Sequence, residues 1–489
     1  MYLGIDLGTS SVKVVLMTDD QRIIGTASAP MTVQRPHVGW SEQSPAEWVA
    51  ATTQTMDELH TRFPKEMGAV RGIGLSGHMH GATLLDAEGN VLRPCILWND
   101  TRSHLEASAM DANPMFRRIS GNIVFPGFTA PKLAWVQKNE PDIFREITKV
   151  LLPKDHLRYW LTGEYASDMS DASGTSWLDV ANRRWSSDLL DATNLTIDQM
   201  PRLVEGSEAS GNLRPDLCAA WGMRDVVVAG GAGDNAASAI GLGTTAHGSA
   251  FVSLGTSGVL FVSTPAYQPN PQSAVHTFCH AVPDTWHQMG VALSATDSLN
   301  WWGKVCEMSS SDLTAELGMQ FAPQQPLTFL PYLAGERTPH NDPSIRGAFV
   351  GLDHSHDRRA MTQAVLEGVA FGSRDSLEAL KSTGTAVSRV MAVGGGASSD
   401  YWLQILANVL DMPVDVSEAR DRGAAFGAAR LGLLAATGGD VASICTQPTV
   451  SKTFEPDPSH RAYFAQGYDT YRALYPAISG VTRHQVERS

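Results

Sequence analysis

Of the 489 residues, 43% are hydrophobic and 18% charged, which excludes a disordered chain, and glycine does not recur at every third position as collagen requires. The formal net charge is −14; such a surface repels polyanions and argues against a nucleic-acid partner, but a small phosphate ligand held by backbone amides and a metal remains open. Five scattered cysteines, Cys95, Cys218, Cys279, Cys306 and Cys445, contain no CxxC pair and read as free thiols of a reducing compartment.

The start, Met1 to Asp6, lacks a basic segment ahead of an apolar one, so no signal peptide is expected. Tyr2 to Leu7 reads as a strand, Gly8-Thr9-Ser10-Ser11 as a turn, and Val12 to Met17 as a second strand. Arg22 to Ala27 is a third, after the turn at Asp19-Asp20-Gln21. Ser44, Pro45 and Glu47 fit a helix start with a capping box. Val70 to Leu75 is another strand, ending in Ser76-Gly77-His78-Met79-His80-Gly81. Farther along, Val226 to Val228 leads into Gly230-Gly231-Ala232-Gly233-Asp234-Asn235 and an alanine-rich helix. The apolar stretch from Val226 to Val262 carries Asp234, Asn235 and His247, so no membrane span is expected and the expected location is cytoplasmic.

Ala250 to Ser253 is a strand before Leu254-Gly255-Thr256-Ser257-Gly258-Val259. That run echoes Leu7-Gly8-Thr9-Ser10-Ser11-Val12 near the midpoint of the chain. Met391-Ala392-Val393 precedes Gly394-Gly395-Gly396-Ala397, after which Ser398 or Ser399 caps a helix through Trp402, Leu403, Leu406 and Val409. Arg422 to Ala436 is a further helix. Alternating strands and helices predict an α/β protein, and the echo predicts two similar halves, 1–245 and 246–489.

Several residues suit chemistry. Asp6 is a carboxylate in a strand that otherwise reads as buried. It either orients hydrated Mg²⁺, with Thr9, Ser10 and Lys13 near the phosphates, or is a strand-end residue satisfied by turn amides. Asp234, at a strand-to-helix junction among small residues, is a general base or an N-cap. His80 suits a polyol hydrogen bond, and Trp98-Asn99-Asp100 is a sugar-gripping cluster or a plain turn. The pairs His78/His80, His276/His280 and His354/His356 have no known zinc spacing. For Arg337, within Gly335-Glu336-Arg337-Thr338-Pro339, an ion-paired structural loop is the preferred reading.

These segments together resemble the FGGY carbohydrate kinases from Met1 to about Tyr475. The match includes Gly4-Ile5-Asp6-Leu7-Gly8-Thr9-Ser10, Trp40-Ser41-Glu42-Gln43 and Met79-His80-Gly81-Ala82-Thr83. It continues through Gly127-Phe128-Thr129-Ala130-Pro131-Lys132-Leu133-Ala134-Trp135-Val136, Gly233-Asp234-Asn235-Ala236, Gly335 to His340 and Gly394 to Ala397. A second signature, Gly347 to Leu352 with Ala364 to Glu367, departs at Ala360, where alanine suits a helix and a local effect alone is expected.

The resemblance implies two actin-like, ribonuclease-H-like domains with the active site in the cleft between them, and ATP and Mg²⁺ as cofactors. It implies Asp234 as the base, with Met79, His80 and Asn235 at the sugar. Asp6 would orient the metal, and Thr9, Ser10, Gly255, Thr256 and Ser257 would form the phosphate loops. Gly394, Gly395, Gly396 and Ala397 would lie near adenosine. The implied reaction is phosphorylation of D-xylulose, the Met79-His80-Gly81 stretch favouring this ketose over glycerol or gluconate. Another ketose or polyol of the family, an actin-like binding protein and a non-catalytic sensor are the rivals, and a homodimer is left open.

Overall fold

The computed structural model describes residues 1–323, 326–418 and 422–486. Its first sheet opens with a meander of β1 (Tyr2–Leu7), β2 (Ser11–Met17) and β3 (Ile23–Pro30), all antiparallel. β4 (Gly72–Gly77) then lies parallel to β1, pairing Asp6 with Ser76 and Leu7 with Gly77. β5 (Ala209–Asn212), β6 (Val227–Ala229) and β7 (Ala232–Gly233) complete the sheet in the order β5-β6-β4-β1-β2-β3, with β7 beside the end of β4. Every residue of β4 is buried, the mark of a strand covered on both faces.

The second sheet repeats the plan. β8 (Ala250–Leu254), β9 (Gly258–Thr264), β10 (His276–Cys279) and β11 (Trp286–Ala292) are antiparallel neighbours. β12 (Val390–Val393) runs parallel to β8, β13 (Val414–Ser417) parallel to β12, and β14 (Val450–Phe454) closes the edge. The order is β10-β11-β9-β8-β12-β13-β14. In both sheets the first strand folds back into a hairpin and later gains a parallel partner. The two Gly-Thr-Ser segments therefore occupy equivalent hairpin turns.

Helices cover both faces of the first sheet. On one side, Leu3, Ile5 and Leu7 share a core with Trp48, Met56 and Leu59 of α1 (Pro45–Arg62). α2 (Thr129–Asn139) belongs to a separate core with Leu84, Ile96 and Trp177, and α3 (Pro153–Thr162) returns Leu157 and Leu161 to the first. Ser44 does not close the expected capping box: its side chain makes no cap bond, and Glu47 Oε1 accepts the amide of Thr32 instead, at 2.8 Å. A tertiary partner has outcompeted the local one.

The other face of the first sheet is covered from far along the chain. α4 (Asp234–Leu242) leaves β7; α5 (Arg358–Lys381) and α6 (Asp400–Leu410) pack in the second half. α7 (Ala424–Thr437) then crosses back to the first sheet. A methyl group on Gly4 would sit 1.9 Å from Ala425 O, and one on Gly74 would sit 1.7 Å from Ala428 O. Gly427 of α7 meets α4 as closely, 1.8 Å from Ala237 O by the same measure. Only side-chain-free positions allow backbones this near. Ala360 stands buried in the first turn of α5, its amide donated to the Asp357 carboxylate that caps the helix. Among the described residues no helix is long and apolar enough to cross a membrane.

Candidate active site

Parallel pairing brings the ends of β1, β4 and β7 together, and with them two acids. Asp6 stands opposite Lys13 on β2 and Ser76 on β4. Burial pushes its carboxyl up, opposed by Ser76 and by the Lys13 charge. Asp234 is the first residue of α4, one residue beyond the pairing of Gly233 with Gly77. It is not the N-cap, a position held by Gly233. Its Oδ1 accepts from the backbone amide of Asn235 at 2.7 Å and from the Asn235 side chain at 3.2 Å. Burial first, and the nearby Asp6 charge after it, push its pKa up to about 6. A carboxylate so tuned is ionised at neutral pH yet takes a proton more readily than an exposed one.

Beyond β4 the chain bends sharply at His80, whose φ is +72°. A left-handed histidine needs support, and it has four contacts. Lys132 Nζ donates to His80 O at 2.7 Å and to Gly127 O at 2.6 Å, Thr129 Oγ1 donates to His80 O at 3.2 Å, and the ring stacks on Phe128 with centroids 4.6 Å apart. The fourth fixes the tautomer. His80 Nδ1 lies 2.8 Å from Gly174 O, and a carbonyl only accepts, so Nδ1 carries the proton and Nε2 is left as an acceptor. Burial holds this imidazole neutral, its pKa lowered to about 3. Met79 lies between His80 and Asp234: methyl groups built on Gly174 and Gly233 would strike its Cε and its sulfur at 3.1 and 2.8 Å.

The Trp98-Asn99-Asp100 cluster divides. Trp98 is 47% exposed and its indole N–H donates to Thr9 Oγ1 at 3.0 Å, tying it to the first Gly-Thr-Ser turn. Asn99 Oδ1 is buried without a protein partner. Asp100 departs from the sugar-gripping expectation. Its oxygens accept from Arg102 Nε and Nη2 at 2.9 and 2.7 Å and from the Ser41 amide at 2.6 Å, and its side chain is wholly buried. It braces the loop from beneath.

The second turn is fastened at its carbonyls. Thr296 donates its amide and hydroxyl to Gly255 O, and Ala295 N donates to Thr256 O, leaving the Thr256 and Ser257 side chains exposed. Gly394, at φ +89°, packs on it; a side chain there would meet Leu254 O at 2.7 Å and Gly255 N at 3.2 Å. Beside it opens a cavity of about 780 Å³, walled by Gly394, Gly395, Ala397 and Ser398 and, from α4, by Ser238 and Leu242. Gly396 lies under that wall, against Leu254 and Trp402. Asp234 and the cavity are thus joined by one helix, Ser238 lying a turn beyond the acid.

Two residues escaped the sequence reading of the site. Lys132 stood within a recognised motif, but its reach to His80 depends on a helix folding under the bend. Arg337 was expected in an ion-paired loop. Instead Glu336 Oε1 accepts the backbone amides of Leu293 and Arg337 itself, at 3.1 and 2.7 Å. The guanidinium sits over the Phe125 ring, 4.7 Å from its centroid, with no ion pair among the described residues. Neighbouring side chains on extended backbone point apart, so adjacency of Glu336 and Arg337 did not make a pair. Of the histidines, His276 packs with Phe125 and Phe128, and His280 with Phe261. The buried acids Asp155, Asp168 and Asp171 gather around Lys154 Nζ, which serves as their cation.

The models of the FGGY family of carbohydrate kinases match this sequence in both halves, the N-terminal domain over residues 1–241 and the C-terminal domain over residues 250–436. Xylulose kinase of Escherichia coli (strain K12) is 47% identical over 481 residues, 98% of this chain and 99% of that protein. Among solved structures, a xyloylose kinase from Brucella ovis superposes with a TM-score of 0.97 at 59% identity, covering 98% of this chain and 99% of that one. Xylulose kinase from Rhodospirillum rubrum does so with a TM-score of 0.92 at 29% identity, over 98% and 99%. The two mixed sheets and their helices are the two-domain, actin-like arrangement of such kinases.

Proposed function

The chain belongs to the FGGY family of carbohydrate kinases, and on that premise we propose that it transfers the γ-phosphoryl group of ATP to D-xylulose, giving D-xylulose 5-phosphate. The observation that carries this reading is Asp234, a half-buried carboxylate with a raised pKa at the head of the helix that walls the large cavity. In the proposed mechanism the adenosine occupies that cavity against Gly394 to Ala397. The exposed hydroxyls of Ser10, Thr256 and Ser257 and the half-buried Thr9 hold phosphate oxygens, with Lys13 and Gly255 beside them. Met79, His80, Trp98, Asn99 and Asn235 line the sugar site.

Asp234 accepts the proton of the terminal hydroxyl as that oxygen attacks phosphorus in line. Phosphoryl transfer has little covalent chemistry for a protein to do, so positioning and charge stabilisation carry the rate. The Asp6 carboxyl, half-buried at a strand end with only Ser76 and Lys13 favouring its charged form, fits a hydrated Mg²⁺. The ion would neutralise charge on the β- and γ-phosphates. The reading includes a division at 245/246 and a cytoplasmic setting; whether two copies associate is read by light scattering.

The test is ADP release measured against a panel of pentuloses, hexuloses and pentitols. D-xylulose giving the highest kcat/KM supports the proposal. ATP hydrolysis that no sugar accelerates overturns it.

A further inference from the structure

Among the groups placed around the sugar, Asp234 and His80 Nε2 accept, the latter because Gly174 O holds the proton on Nδ1. The neutral side-chain donors are the amides of Asn99 and Asn235, and Asn235 already gives one N–H to Asp234. Lys132 gives its hydrogen bonds to backbone carbonyls beneath the pocket. Such a site suits hydroxyl groups, which donate. A ketose differs from the corresponding alditol by one group that only accepts, the carbonyl oxygen, and it calls for a donor.

Arg337 is that donor in reserve. Its loop belongs to the second half and is held rigidly: Thr338 donates through N to Val291 O and through Oγ1 to Ala274 O, and accepts the Val291 amide. The guanidinium projects over Phe125, which packs in one cluster with Met79 and Phe128, and its charge is felt at both His80 and His276, whose pKa values it helps to lower. It is only partly exposed, and its burial is opposed by Glu336 alone. A guanidinium without an ion pair at such a place is costly unless something it binds repays the desolvation.

The order of these side chains gives the match. Asp234 stands at one end, Met79 in the middle and His80 at the other, beside Phe125, Phe128 and Arg337. A pentulose with its C5 hydroxyl at Asp234 directs its C2 carbonyl toward the far end. We infer that Arg337 reads the ketone oxygen of the substrate and is the residue that selects ketose over alditol. The inference rests on the sugar-kinase reading above.

The experiment compares D-xylulose with D-arabinitol, one of its two C2 reduction products, in the wild type, Arg337→Ala and Arg337→Lys, the pentitol being followed as substrate or as competitive inhibitor. A hydrogen bond to a charged group predicts a loss of about 10- to 100-fold in kcat/KM for D-xylulose in the alanine variant, chiefly through KM. The constant for D-arabinitol should move by less than about twofold, and lysine should restore part of the ketose preference. Equal losses on both sugars in both variants overturn the assignment. Absence of sugar-dependent ADP release in the wild type overturns the sugar-kinase reading instead.

Discussion

Lys132 Nζ lies 2.7 Å from the carbonyl oxygen of His80, so a fully buried ammonium holds the left-handed bend at His80. Burial lowers the Lys132 pKa to about 7. Lys132→Met should raise KM for the sugar by more than about tenfold with a smaller change in kcat, since it frees His80 and leaves Asp234 in place. The sign of the pH effect follows. A folded pKa below the unfolded value means that the unfolded chain binds the extra proton between pH 7 and pH 10, so the wild type gains stability over that interval. Denaturant titrations at pH 7 and pH 9.5 should show that gain in the wild type and its loss in Lys132→Met.

Asp234→Asn removes the proton acceptor while retaining shape. Sugar-dependent turnover should fall by about 10²–10⁴, with the ATP dissociation constant within about twofold of the wild type. In the wild type, kcat/KM should decline as pH drops through about 6, where the carboxylate protonates. Folding should respond in the opposite sense. The folded pKa is raised, so ionising Asp234 costs the native state about 2–3 kcal/mol above pH 6, a penalty relieved as pH falls toward 4. The asparagine variant should therefore melt higher than the wild type at pH 8, and the margin should shrink steadily as pH falls from 6 toward 4.

Trp98→Phe tests the tether between the exposed indole and the first phosphate turn. Although the chain has 12 tryptophans, Trp98 is the one hydrogen-bonded to Thr9. Most of the fluorescence change on adding ATP should vanish in this variant. A full signal would separate Trp98 from the nucleotide.

Much of the fold is legible because burial leaves periodic traces: the strands expected from Tyr2, Val12 and Ala250 start within a residue of where the apolar runs begin, the one expected from Val70 starts two residues later at Gly72, and the repeated hairpin is visible in the repeated Gly-Thr-Ser. Less legible is anything decided by distant partners. The Asp100 carboxylate reads as a sugar ligand until the fold turns Arg102 and the Ser41 amide onto it. Glu47 reads as a capping residue until Thr32 takes it. Arg337 beside Glu336 reads as a pair until the backbone amides claim the carboxylate. In each case sequence proximity supplied a partner that three-dimensional proximity replaced.

Gly74→Ala should be among the most damaging single substitutions outside the pocket. The added methyl would lie 1.7 Å from Ala428 O, a contact with backbone on both sides. A loss exceeding about 3 kcal/mol is expected, seen as aggregation or a large fall in melting temperature. Val14→Ala, in the adjacent hairpin, should cost less because it leaves a gap where Gly74→Ala makes a collision.

The return of α7 to β1 and β4 also orders events during synthesis. The strands that carry Asp6 and Ser76 are among the first made, yet the helix that roofs them consists of residues 424–437. Until those residues leave the ribosome, one side of the opening sheet stays bare, an apolar flank for chaperones to shield. Truncation before Ala424 should thus strand the whole nascent chain in an unfinished, sticky state, however complete its sugar-side residues are.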